Sequence, residues 1–200
     1  MRRLTTAFMG GDPHAFRDLI RLLLAVTVLE KQHPGPRLWR ATDGSPDHWE
    51  IGGLATPLEP LPIRNGRYLR VAIDLFLDHE DRNYLKVGTS SFQYQVDKDP
   101  NTKAWIFRYD YLRQPTPHAH PSAHLQINAR PVVDDVLPDR TPLERIHFPT
   151  RRVPLEGTIR ALADEFQVEC AQPAEIWRPV LSEAERLFAK IAHEPPLGPE

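Results

Sequence analysis

SFQYQVDKDPNTKAWIFRYDY, residues 91–111, decides the fold class. In its first part Phe92, Tyr94 and Val96 alternate with Gln93 and Gln95, so an extended chain turns the larger apolar groups to one side and the amides to the other. The next six residues, Asp97-Lys98-Asp99-Pro100-Asn101-Thr102, have turn chemistry. Beyond them Trp105, Phe107, Tyr109 and Tyr111 alternate with Ile106, Arg108 and Asp110. Two alternating runs around a polar turn predict an antiparallel hairpin with one covered face and one polar face.

The two-residue period extends outward from this hairpin. His48–Ile51, Tyr68–Leu77 and Tyr84–Val87 precede the predicted Ser91–Val96 strand, with a second polar turn at Asp78–Asn83, and His124–Asn128 follows Trp105–Tyr111. Nearer the N-terminus the period becomes helical. Phe16, Leu19, Ile20, Leu23, Val26 and Leu29 recur at helical spacing between a start signal at Asp12-Pro13 and a stop at His33-Pro34-Gly35-Pro36. The valines and threonine of Leu22–Leu29 offer a rival strand there. Towards the C-terminus Leu155, Ile159, Leu162 and Phe166 form an apolar stripe behind Pro154. Ser182-Glu183-Ala184-Glu185 resembles a capping box opening a last helix with Leu187, Phe188 and Ile191 inward. The expected fold is α+β, an antiparallel β-meander covered by N-terminal and C-terminal helices. Residues 1–200 are read as a single domain, with an N-terminal helix about 13–31, a β core about 48–130 and C-terminal helices about 155–193.

Composition narrows the function classes. With 200 residues and 40% hydrophobic side chains, the chain is long enough to bury one sizeable core. Lys and Arg number 25 against 27 Asp and Glu, so no global basic field draws nucleic acid or an anionic membrane. The longest apolar stretch, Leu19–Leu29, spans 11 positions and contains Arg21, short of the roughly 18 residues a membrane span needs. No signal-peptide pattern is recognised, and a cytoplasmic location without membrane partners is expected. The one cysteine, Cys170, follows an apolar helical stripe and reads as a structural thiol. Glycine-rich phosphate loops, the Gly-x-Ser-x-Gly elbow and His-Glu-x-x-His are missing from the sequence, which disfavours nucleotide cofactors, α/β-hydrolase chemistry and zincin proteolysis. No cofactor is expected.

One segment points to chemistry. Three of the nine histidines, His118, His120 and His124, fall within seven residues just after the Trp105–Tyr111 run. Imidazole exchanges a proton near neutral pH and is a common metal ligand. With Asp110 or Asp134 the three could form a metal site, and without metal they could serve as acid and base groups. His124 also reads as a half-buried strand residue bonded to a backbone carbonyl. Arg108, in mid-strand, calls for a polar face or a nearby carboxylate. Arg151-Arg152 precedes the C-terminal stripe. Arginine beside histidine stabilises phosphorane charge while imidazole moves the proton.

Phe107-Arg108-Tyr109-Asp110, the following Pro-His loop and His124-Leu125 together resemble the TumE-like family of bacterial toxin-antitoxin proteins. His120-Pro121-Ser122-Ala123-His124-Leu125 is also similar to a His-Pro-x-x-His-Leu signature of actinobacterial proteins. The likeness spans about residues 84–168 and carries over to Arg108, Tyr109, Asp110, His118, His120 and His124. Tyr111 and the Leu112–Pro117 stretch depart from the family's shorter turn. The resemblance implies the toxin half of a two-gene pair, with a cognate antitoxin or neighbouring-gene product as partner; taken together with the clustered histidines it gives RNA as the expected substrate. His118, His120, His124 and Arg108 are then the catalytic candidates, and Tyr109, Asp110, Arg151 and Arg152 the substrate-binding ones. Two alternatives stand beside it: a non-enzymatic module that binds a protein through Trp105, Tyr109 and Tyr111, and a metal-binding protein using the histidines.

Overall fold

A computed structural model describes residues 11–77, 85–114, 121–128 and 148–191. Among these residues eight strands form one antiparallel sheet: β1 Arg37–Arg40, β2 His48–Gly52, β3 Leu61–Ile63, β4 Arg67–Leu77, β5 Leu85–Gln95, β6 Trp105–Leu112, β7 Ala123–Ile127 and β8 Phe148–Pro149. Their spatial order is β1-β2-β4-β5-β6-β7-β8, with β3 beside β4. β2 pairs with residues 73–76 of β4 and β3 with residues 67–69, so the two short strands share one edge. Three helices stand among the described residues: α1 Pro13–Val26, α2 Leu155–Asp164 and α3 Ala174–Ile191. The α+β architecture, with a meander flanked by N-terminal and C-terminal helices, is as the sequence predicts.

α1 begins as expected, with the Asp12 carboxylate accepting from the His14 amide at 2.8 Å and Pro13 in the first turn. The rival strand over Leu22–Leu29 does not form; only Leu29 makes a bridge, to Ile63. Phe16, Leu19, Ile20 and Leu23 of α1 join Ile159 and Leu162 of α2 and Trp177 and Leu181 of α3 in one core. That core rests on Leu69, Val71, Ile73, Leu75, Phe92, Tyr94, Phe107 and Tyr111 of the sheet.

Four local readings change. The strands predicted at Tyr84–Val87 and Ser91–Val96 are one strand, β5, because Gly88 and Thr89 form a bulge opposite Asp74 and do not end the pairing. Trp105 faces away from Phe107. A second irregularity pairs Gln95 with Trp105 and Tyr94 with Phe107, so Ile106 is an extra residue and Trp105 turns to the side of Gln95. The last helix starts at Ala174, eight residues before the capping box, and runs through Pro179. Ile176 and Trp177 amides bond the Pro173 carbonyl, and the buried Trp177, Leu181 and Ala184 hold the first turns against the core. The Ser182 hydroxyl therefore has no capping role and instead accepts from Arg160 at 3.2 Å. The Asp97–Thr102 turn forms as predicted, with Asp97 and Asp99 carboxylates accepting from amides two residues on. The turn predicted over Asp78–Asn83 lies outside the described residues.

Candidate functional site

The alternation that buries one face of the sheet loads the other with polar groups. In one row Arg70 stands opposite Gln93, Gln93 opposite Arg108, and Arg108 opposite Gln126. In the next row Ala72, Ser91, Asp110 and His124 follow one another across the strands. Residues directly opposite in antiparallel strands share a face, so both rows lie on the side away from the apolar core.

Arg108 and Asp110 are the centre of this face. The Arg108 Nε donates to Asp110 Oδ2 at 2.6 Å, and its terminal nitrogen donates to Gln126 Oε1. The guanidinium also lies over the Trp105 ring, 5.8 Å from its centroid. Asp110 Oδ2 is 3.6 Å from His124 Nε2. On the other side of the imidazole, Nδ1 donates to the Pro121 carbonyl at 3.1 Å. His124 is 8% exposed, whereas the Arg108 and Asp110 side chains keep 30% and 21%.

Arg70 adds a second guanidinium. It donates to Gln93 Oε1 at 3.1 Å and to the Pro100 carbonyl at 3.2 Å. Burial first, and the neighbouring Arg108 second, hold its pKa below the ordinary arginine value, with Asp110 opposing them. Gln93 in turn donates to Gln95, whose amide donates to the Asp97 and Asp99 carbonyls at 2.8 and 2.9 Å. The turn thus ties down the row that carries the arginines. Two guanidinium groups beside a carboxylate and an imidazole can bind an anion and exchange a proton next to it.

The predicted site residues divide between the two faces. Arg108, Asp110 and His124 come together. Tyr109 does not join them: it points to the helix-covered side, packs edge-on against Phe107, and burial pushes its phenol pKa up. Arg152 is also on that side, held between the rings of Tyr111 at 4.2 Å and Phe188 at 4.5 Å, and so stands apart from Arg108. Arg151 is exposed at a bend after β8. His118, His120 and Asp134 lie outside the described residues.

The alternatives fare differently. Trp105 and Tyr111 occupy opposite faces, with Tyr111 buried, so the three rings proposed to bind a partner do not make one exposed patch. Among the described residues no group of three or more His, Cys, Asp or Glu is placed to hold a metal ion. No helix among them is long and apolar enough to cross a membrane. Burial pushes the Cys170 thiol pKa up, which suits a structural thiol.

Sequence reasoning missed Arg70, Gln126 and Glu156. Arg70 lies between the buried Leu69 and Val71 of β4 and Gln126 is itself buried in β7, and only the cross-strand register brings them to Arg108. Glu156, in the first turn of α2, is 3% exposed in a small gap lined by Ser90, Phe92, Arg152 and Phe188. Burial, with Glu185 adding to it and Arg160 and Arg152 opposing, raises its carboxyl to about 7. The signal was its spacing: Glu156 lies three residues before Ile159, on the edge of the apolar stripe.

Comparison of the chain with protein-family models, curated proteins and solved structures gives no match.

Proposed function

We propose that the protein acts on RNA through the polar face of its sheet, as the toxin component of a bacterial toxin-antitoxin or defence module. The observation that carries this reading is the meeting of Arg108, Asp110 and His124 on one face, with Arg70 two strands away in the same row as Arg108. In the proposed step His124 Nε2 takes the proton of a ribose 2′-hydroxyl as its oxygen bonds to phosphorus. The bond from phosphorus to the 5′-oxygen breaks, leaving a cyclic phosphate, and a protonated acid returns a proton to the departing oxygen. Asp110, 3.6 Å from Nε2, favours the imidazolium that forms. Arg108 and Arg70 offset the charge that develops on the phosphoryl oxygens. His118 and His120, close to His124 in sequence, are the groups proposed to return the proton.

Expression of the chain alone in a bacterial host, beside a folded variant with His118, His120 and His124 all changed to Ala, tests the reading. Growth arrest with loss of total RNA is expected for the wild type and neither for the variant. Normal growth with intact RNA, or a variant as toxic as its parent, overturns it.

A further inference from the structure

Next to the Asp110–His124 row the sheet opens into a cleft of about 500 Å³. Its origin is the bulge in β5. Gly88 and Thr89 together oppose Asp74, and a Cβ on Gly88 would stand 2.5 Å from the Phe76 ring, so glycine is what lets the strand run this close. Phe76 is fixed from its other side by stacking on His48, with centroids 3.9 Å apart. Phe76, Leu77 and Leu112 make an apolar wall. Leu112 is 39% exposed, so part of that wall is presented to the cleft and solvent.

The polar lining is specific. Asp74 accepts from the Thr89 hydroxyl, which fixes the carboxylate while leaving it further acceptor sites. Lys86 and Arg113 line the same cleft. Arg113 is positioned by donating its Nε to the Val87 carbonyl at 2.8 Å and its amide to the Gly88 carbonyl at 2.9 Å. An occupant matched to this lining has a flat apolar body for the wall, a hydrogen-bond donor for Asp74 and a negative charge for the two cations. The size falls in the usual range for small-ligand sites, about 300–1,000 Å³.

We propose that this cleft binds the base and phosphate of one ribonucleotide, with Asp74 accepting from the base edge and Lys86 and Arg113 facing the phosphate. Thr89 pairs with Leu112 and Ser91 with Asp110, so the cleft lies two residues along the strands, about 7 Å, from the Arg108–Asp110–His124 group. A nucleotide seated here brings its neighbouring phosphodiester towards that group. The assignment rests on the RNA reading of the same face and deepens it, because it places substrate selection at Asp74.

Calorimetric titration of the full chain with the four nucleoside 3′-monophosphates, and with benzoate as a flat anion lacking the base donor, tests the assignment. At least one nucleotide should bind with a stoichiometry of one, and benzoate should not. Leu112→Trp, which fills the cleft, should weaken binding at least tenfold. Asp74→Asn should alter the order of preference among the bases, and circular dichroism establishes that each variant is folded. Should Leu112→Trp fail to fold, Asp74→Asn carries the test alone. No nucleotide bound by the wild type, benzoate bound as tightly, or an unchanged base preference in folded Asp74→Asn overturns the assignment. Nucleotide binding by a protein that leaves RNA intact supports the cleft and overturns the nuclease. RNA cleavage without mononucleotide binding overturns the cleft alone.

Discussion

Val71, Phe92, Tyr109 and Leu125 cross the sheet on its helix-covered face, and Arg70, Gln93, Arg108 and Gln126 cross it one residue away on the other. The strands and the pairing are the same; only the side of the pleat differs. The covered row does what a core requires, meeting α1, α2 and α3 in one apolar cluster. The polar row is harder to explain by stability. It sets two guanidinium groups near each other, buries Gln93, and leaves the Arg70 Nε buried without a hydrogen-bond partner among the described residues. A surface required only for solubility is served by isolated lysines or threonines. Polar groups that cost stability cluster where function is selected.

The contrast can be broken at graded strengths. Phe92→Ala removes a ring from the covered row and should destabilise the fold by about 3–5 kcal/mol in urea unfolding. A loss under about 1 kcal/mol would mean that the helices do not seal this face.

Glu156→Gln probes a carboxyl sunk into the covered side. Its carboxyl, raised to about 7 by burial, ionises more easily in the unfolded chain at an ordinary value near 4.5. Stability is therefore full below pH 4.5 and is lost as pH rises towards 7, beyond which it levels off. Glutamine abolishes that loss. The variant should gain roughly 3 kcal/mol over the wild type above pH 7 and nothing below pH 4.5, from the gap between the two pKa values. Parallel urea curves at pH 4 and pH 8 would contradict the burial. Smallest of all, Arg108→Ala should cost no more than about 1 kcal/mol of stability, because its pair with Asp110 is partly solvated.

Elements that carry their own periodicity were legible in the sequence. Phe92 to Tyr111 encodes the central hairpin through alternation and turn residues, and Asp12-Pro13 opens α1, which ends at Val26, before the His33-Pro34 stop predicted for it. Elements set by tertiary pairing were not. β1, four residues with arginine at both ends, and β3, three residues around Pro62, are too short to show a period and exist because β2 and β4 offer them an edge. Gly88 reads as a break and is a bulge. Proline ordinarily interrupts a helix, yet the packing of Trp177 and Leu181 carries α3 through Pro179 and so places its start ahead of the predicted Ser182. At the site, Arg108, Asp110 and His124 were visible as residue types, and alternation separated Arg108 from Tyr109. That Arg152 belongs to the other face follows from how α2 and α3 lie over Tyr111, which no local pattern encodes. Glu156 looked like an ordinary acidic residue in a first helical turn.

The most direct measurement is the cleavage rate of RNA by purified wild type and Arg108→Ala, taken with their unfolding curves. The polar face as a working site predicts a loss of about 100-fold or more in rate with stability within about 1 kcal/mol of the wild type. Equal rates, or no cleavage by the wild type, would contradict it and leave the row of arginines and glutamines as part of the sheet's own hydrogen bonding.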